Sequence, residues 1–338
     1  MAAYTTIDDP SAYFKVQLYT GNGAANHAIT FDDTDTDMQP DFVWIKNRDA
    51  TDAHCWFDSV RGATKLLVPS YPNNAAEATD ADTVDSFASD GFQVDADVKV
   101  NTNAEDYVAW CWKESATAGF DMVAYTGTGS AHTESHSLSA VPHLMIVKNR
   151  TDADPYRIYH RGINTDAETD HLEFDTGIFL DAATDWNDTA PTSSVFTVGT
   201  GDQTNENTDS FIAYLWTSIQ GFSRFGHYLG NGNDNGVFVN TGFKPAWLLI
   251  KRSDGSDGWN MWDNKRSPYN EMILYLEPDY YWTEQTGSTD HQVDFLSNGF
   301  KLRESGNETN GAGLGPYIYM AFAEAPFVNS EGVPGNAR

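Results

Sequence analysis

A chain of 338 residues exceeds the usual single-domain range of about 100 to 200 residues, so two or three compact units are expected. With 20 Lys and Arg against 49 Asp and Glu, its net charge of −29 makes nucleic acid or an anionic membrane surface a poor partner. No run of about 18 apolar residues offers a membrane span, Met1 to Asp9 lacks the basic start and apolar stretch of a secretory signal, and two cysteines are too few for a disulfide framework or a four-thiolate metal site. The 35 Asp outnumber the 14 Glu, which puts the acidity on a side chain that favours turns. Solvated loops account for it, and so does adaptation to a saline medium.

In chain order, an aromatic followed by a glycine turn comes first, Tyr19-Thr20-Gly21-Asn22-Gly23. Next, Pro40 opens the run Phe42-Val43-Trp44-Ile45-Lys46, and Trp56-Phe57-Asp58, Arg61-Gly62 and the pair Phe87 and Phe92 follow. The aromatic run Tyr107 to Trp112 closes the series, with Cys111 read as a small buried hydrophobe. The same ordered signals return as Tyr125-Thr126-Gly127-Thr128-Gly129, Pro142 with Leu144 to Lys148, Ile158-Tyr159-His160, and Phe211 to Trp216. They return again as Tyr228-Leu229-Gly230-Asn231-Gly232, Pro245 with Trp247 to Lys251, Met261-Trp262-Asp263, the pair Phe295 and Phe300, and Tyr317 to Phe322. Successive copies lie 102 to 106 residues apart, and three ordered signals held in step argue for three copies of one unit.

The apolar runs are four to six residues long, rich in β-branched and aromatic side chains, and bounded by Pro, Gly or Asn. They suit strands covered on both faces. We therefore expect an all-β fold of three tandem, diverged β-sandwich repeats, jelly-roll-like, packed as one body. The boundaries fall at 1–117, 118–219 and 220–328, with 329–338 as a C-terminal tail. Trp44, Met145 and Leu248 should lie on equivalent strands. The Lys that ends each second run is expected to keep its ammonium in solvent over an apolar stem.

Local catalytic signatures are missing: no Gly-x-Ser-x-Gly, Gly-x-x-x-x-Gly-Lys or His-Glu-x-x-His occurs. His132, Glu134 and His136 would share one face of a strand and form a weak metal candidate. Asp33, Asp35 and Asp37 resemble the start of a calcium loop, but Met38 stands where its glycine belongs. The third copy holds the aromatic cluster Trp259, Trp262, Tyr269, Tyr275, Tyr280, Tyr281 and Trp282. Such faces either fill a core or stack on sugars, and Trp259, Trp262, Tyr281 and Trp282 are the ligand-binding candidates. No catalytic residue, cofactor or metal is expected, although a carboxylate pair for glycoside hydrolysis leaves no trace in sequence.

Through Asp9 to Phe14, Tyr19 to Gly23, Pro40 to Arg48, Phe57 to Lys65 and Tyr107 to Lys113, the chain resembles a domain family of tailed-virus virion proteins, especially from marine phages. Thr241 to Ala246 and Tyr319 to Phe327 carry the resemblance in the third copy, and the second copy departs most. The resemblance implies a virion location and a non-enzymatic structural role, as tail fibre, spike or capsid decoration, with host adhesion. The partners implied are other virion proteins, a host surface glycan, and further copies of the chain in a cyclic oligomer, a trimer first. A glycan-degrading depolymerase is the alternative.

Overall fold

The computed structural model describes residues 3–32, 36–69, 74–175, 177–181, 183–287 and 290–335. The all-β expectation is met. Three four-stranded antiparallel sheets dominate, and each has the spatial order first, closing, second, third strand. The first sheet uses Phe14–Thr20, Asp106–Trp112, Phe42–Asn47 and Cys55–Asp58. The second uses Phe120–Thr126, Ser210–Trp216, Leu144–Asn149 and Arg157–His160, and the third uses Ser223–Tyr228, Tyr317–Pro326, Phe243–Arg252 and Trp259–Asp263.

Period-two alternation sends the side chains of the first and third sheets to two different cores, whereas both faces of the second sheet, Met145 and Ile146 alike, belong to the shared core. In the first sheet Val43, Ile45, Cys55, Phe57, Ala109 and Cys111 meet Ile29, Phe92 and Val94 of a small second sheet. That sheet is built from His27–Thr30, Gly91–Val94 and Val84–Ala88, and it completes a sandwich. Leu248, Ile250, Trp262 and Ala321 do the same in the third, against Val239, Val293, Phe295, Phe300 and Leu302. The alternate residues Phe42, Trp44, Trp56, Trp110 and Trp112 turn to the opposite face and join Trp216, Trp247, Leu249, Trp259, Met320 and Phe322 in one shared core. Rings from different sheets touch there: Phe42 and Tyr214 at 4.9 Å, Phe14 and Phe322 at 4.9 Å, Trp112 and Trp247 at 5.7 Å.

Trp44, Met145 and Leu248 do lie on corresponding strands, but the register is finer than that. Lys46, Lys148 and Lys251 stand opposite Val108, Ile212 and Ile318. Trp44 therefore corresponds to Ile146 and Leu249, and Met145 and Leu248 lie one residue back, on the opposite pleat.

The contacts between sheets close cyclically. Glu77 N–H donates to Arg150 O at 2.9 Å, Phe179 N–H to Ser253 O at 2.8 Å, and Glu284 N–H to Arg48 O at 2.8 Å. Arg150 and Arg48 add forked ion pairs to Glu77 and Glu284. At a second level, Tyr214 donates its hydroxyl to Asp58 at 2.7 Å and Trp110 its indole N–H to Asp263 at 3.1 Å. Both acceptors are buried and paired with Arg61 and Arg266 three residues on. His160 takes the corresponding place in the second sheet, with Nε2 3.3 Å from Tyr319 O.

The three glycine turns share one lock. Asn101, Asn205 and Asn310 are fully buried, and their Oδ1 atoms accept from Asn22, Thr128 and Asn231 N–H at 2.7 to 3.0 Å. Tyr19, Tyr125 and Tyr228 donate to the carbonyl of the residue just before each asparagine. The turn lies so close to this loop that a Cβ on Gly127 would meet Glu206 O at 2.0 Å, which only glycine avoids.

The expectation for the lysines is overturned. Lys46, Lys148 and Lys251 are fully buried. Their ammonium groups donate to loop carbonyls: Ala50 at 3.0 Å, Asp152 and Asp154 at 2.8 and 2.9 Å, Arg252 and Gly255 at 2.6 and 3.1 Å. Burial pushes all three down to about 8. The loops following the second strand fold back over each ammonium, and a run read only as far as its Lys gives no sign of that cover. Among the described residues no helix is long and apolar enough to cross a membrane.

Candidate functional site

The aromatic cluster of the third sheet divides in two. Trp259 and Trp262 are buried, which corrects their reading as sugar-stacking faces. The strand Trp259–Asp263 is covered on both sides, so alternation sends Trp259 into the shared core and Trp262 into the third sandwich. Trp259 packs on Phe174 at 5.1 Å and donates to Glu173 O, while Trp262 donates to His291 O at 3.0 Å. Tyr275 is also engaged, stacked on His291 at 4.3 Å.

Tyr281 and Trp282 are exposed, at 42% and 47%. Trp282 stacks on Tyr280 with centroids 4.4 Å apart and planes within 8°. The other nine tryptophans of the chain are buried, which makes this platform distinctive.

Tyr280 lies in the electrostatic field of a set of carboxyl groups. A cleft of about 250 Å³ is lined by Asp257, Asp290, His291, Glu304 and Glu308, among others. His291 Nε2 lies 2.5 Å from Glu308 Oε2. That hydrogen bond holds the Glu308 carboxyl below its usual range, and it raises His291 although burial opposes the rise. Behind the cleft, burial first and then Asp279 and Glu308 push Glu277 up to about 8. Asp279, fully buried, rises to about 7, and Glu304 also rises to about 7, both by burial.

Glu277 Oε2 and Asp279 Oδ2 are buried without a hydrogen-bond donor among the described residues. A Cβ on Gly258 would come within 3.2 Å of Asp279 Oδ2 and 3.7 Å of Glu277 Oε1, so glycine keeps the space beside both carboxyls open. The Tyr280 phenol is raised by burial and then by Asp279, Glu277 and Glu308, which sets the platform in the field of these acids. The region thus offers a flat apolar face lying in the field of carboxyls shifted in opposite directions, Glu277 up and Glu308 down, features suited to a polyhydroxylated ligand.

The metal candidates do not assemble. His132 and Glu134 share one face of the strand His132–Ser135, and Nε2 meets Oε1 at 2.9 Å. His136 follows the strand and turns its Nε2 to Thr192 O at 3.2 Å. Asp33 and Asp35 lie outside the described residues. Asp152, Glu206 and Asp209 bring carboxylate oxygens within 4.8 Å of one another at the rim above Lys148. They are solvated acids on a surface rich in acids, and we assign them no ion.

Sequence reasoning passed over Glu277, Asp279, His291, Glu304 and Glu308, which come from separate segments and form no motif. The one local signal is Glu277-Pro278-Asp279, two acids enclosed by an aromatic-rich stretch.

No curated protein sequence matches this chain. A family model described as a domain of unknown function, DUF7483, matches residues 9–326. Because that match runs through all three sheets, the chain belongs to the DUF7483 family.

Proposed function

We propose that this chain is a non-enzymatic structural and adhesion protein on the outer surface of a tailed virus particle, with the Tyr280 and Trp282 platform engaging a host surface glycan. The observation that carries the adhesion reading is the stacked pair itself, the single exposed tryptophan of ten paired with a tyrosine that lies in the field of Asp279, Glu277 and Glu308. The virion location rests on the resemblance of the first and third segments to tailed-virus proteins. Its partners are other virion proteins and further copies of the chain around a rotation axis.

The test is titration of purified host surface polysaccharide into the wild type and into a Tyr280→Ala, Trp282→Ala double variant. Binding is expected to fall at least tenfold in the variant with an unchanged melting temperature, and no new reducing ends are expected. Equal binding by both proteins refutes the platform.

A second reading, glycan cleavage, is favoured by one observation: Glu277 is pushed up to about 8 while Glu308 is held low. Interacting carboxyls whose pKa values are driven apart are one of the things an acid and a base require. Release of reducing ends that disappears in both Glu277→Gln and Glu308→Gln would establish it in place of simple adhesion.

A further inference from the structure

Nine arginines lie within the described residues, and seven have a carboxylate within ion-pair distance: Arg48, Arg61, Arg150, Arg157, Arg252, Arg266 and Arg303. Arg161 and Arg224 have no such partner among the described residues. In a chain with 49 acids, an arginine without a carboxylate is unusual, and these two line the same cleft.

The cleft lies between the second and third sheets and holds about 250 Å³. His143, Arg161, Ser218, Arg224, His227 and Tyr319 contribute to its walls, and among the described residues no Asp or Glu does. An adjoining hollow shares His143, Ser218 and Arg224, continues past Tyr4, Gln220 and Asn240, and is also free of acids.

The arginines are held in place by neutral groups. A guanidinium can only donate, so His143 Nε2, 2.5 Å from Arg161 Nη1, accepts. The imidazole is then neutral, in keeping with burial and the two arginines pushing it down to about 4. His143 Nδ1 lies 2.8 Å from Ser218 Oγ, which fixes the ring. Burial raises the Tyr319 phenol and the Arg224 guanidinium pulls it down against that rise, which puts the guanidinium near that hydroxyl. A Cβ on Gly226 would sit 2.7 Å from that hydroxyl, and one on Gly162 would sit 2.8 Å from His227 Nδ1, so glycines keep the floor bare. Both arginine side chains therefore face solvent with positive charge uncancelled.

We propose that this groove binds an oxyanion, the sulfate ester or carboxylate of an acidic sugar, with Arg161 and Arg224 as its charged donors. Guanidinium forks match the planar or tetrahedral oxygens of such groups. A local positive field on an acidic body selects anionic positions along a ligand that the rest of the surface repels. The oxyanion site stands without the glycan reading, whereas its assignment to a sugar rests on that reading.

The experiment titrates the full chain at low ionic strength with inorganic sulfate, acetate, a sulfated oligosaccharide, a uronate oligosaccharide and a neutral oligosaccharide. The wild type is expected to bind at least one anionic ligand, and the Arg161→Gln, Arg224→Gln double variant to bind it at least tenfold more weakly. Both proteins are expected to melt alike, since the two side chains are exposed. The Tyr280→Ala, Trp282→Ala variant is expected to keep its sulfate or acetate response, which separates this site from the platform. Binding of free anions without acidic sugars supports the oxyanion site and removes the sugar. No anion binding at low salt, or equal affinity in the arginine variant, overturns the proposal even if the platform binds neutral glycan.

Discussion

Replacing Asn205 with alanine tests the lock that holds each glycine turn to its sheet. Asn205 Oδ1 accepts from Thr128 N–H at 2.7 Å, and Nδ2 donates to Ser130 O at 2.8 Å and Gly199 O at 2.6 Å. The side chain is fully buried, so its truncation removes all three bonds and leaves the buried Gly199 O without this donor, while Ser130 O keeps its contacts with the Thr128 hydroxyl and His132. At about 1 kcal/mol net per hydrogen bond, and more where a partner stays buried, the loss comes to about 3 to 5 kcal/mol. That is a large share of the roughly 5 to 15 kcal/mol by which a protein is folded. Asn205→Asp is not expected to rescue, because its carboxylate keeps the Thr128 contact but faces two carbonyls. Asn207→Ala, two residues on and exposed, should stay within about 0.5 kcal/mol of the wild type. Urea unfolding followed by tryptophan fluorescence gives the comparison from midpoints and slopes. If Asn205→Ala and Asn207→Ala unfold at the same midpoint, the reasoning about this lock is wrong.

Trp262→Ala is expected to cost about 3 to 5 kcal/mol by emptying a core site, while Trp282→Ala should leave stability within about 1 kcal/mol, since it removes an exposed ring. Similar urea midpoints for the two variants would contradict the division of the aromatic cluster. Glu277→Gln is expected to gain stability relative to the wild type as pH rises from 5 to 8.5. The folded carboxyl titrates at about 8 against a usual 4.5, so its stabilising proton is fully held below 4.5 and lost as pH rises through 8. A relative gain no larger at pH 8.5 than at pH 5 speaks against that burial.

The sequence by itself determined the strands. Phe42 to Lys46, Tyr107 to Trp112 and their counterparts are short, aromatic and β-branched runs bounded by Pro and Gly, and that pattern fits only a strand covered on both sides. The glycine turns were legible too, since Gly21, Gly127 and Gly230 recur in step with the aromatic before them. Asn101, Asn205 and Asn310 recur almost as regularly, but an isolated asparagine in a polar loop looks like any other turn residue until its side chain is seen buried.

Tertiary structure decided which face of each strand meets which core, because alternation gives two faces and no label. Trp262 and Trp282 belong to one aromatic cluster in the sequence, yet one lies on a strand between two layers and the other is exposed. It also decided the charges. Whether Lys148 meets water or the carbonyls of Asp152 and Asp154 depends on a loop folding back. Arg161 and Arg224 stand 63 residues apart in the chain and share a cleft only because the second and third sheets pack together. Hydrogen bonds and electrostatic fields act over a few ångströms, and which residues come that close is a property of the packed sheets and not of their order in the chain.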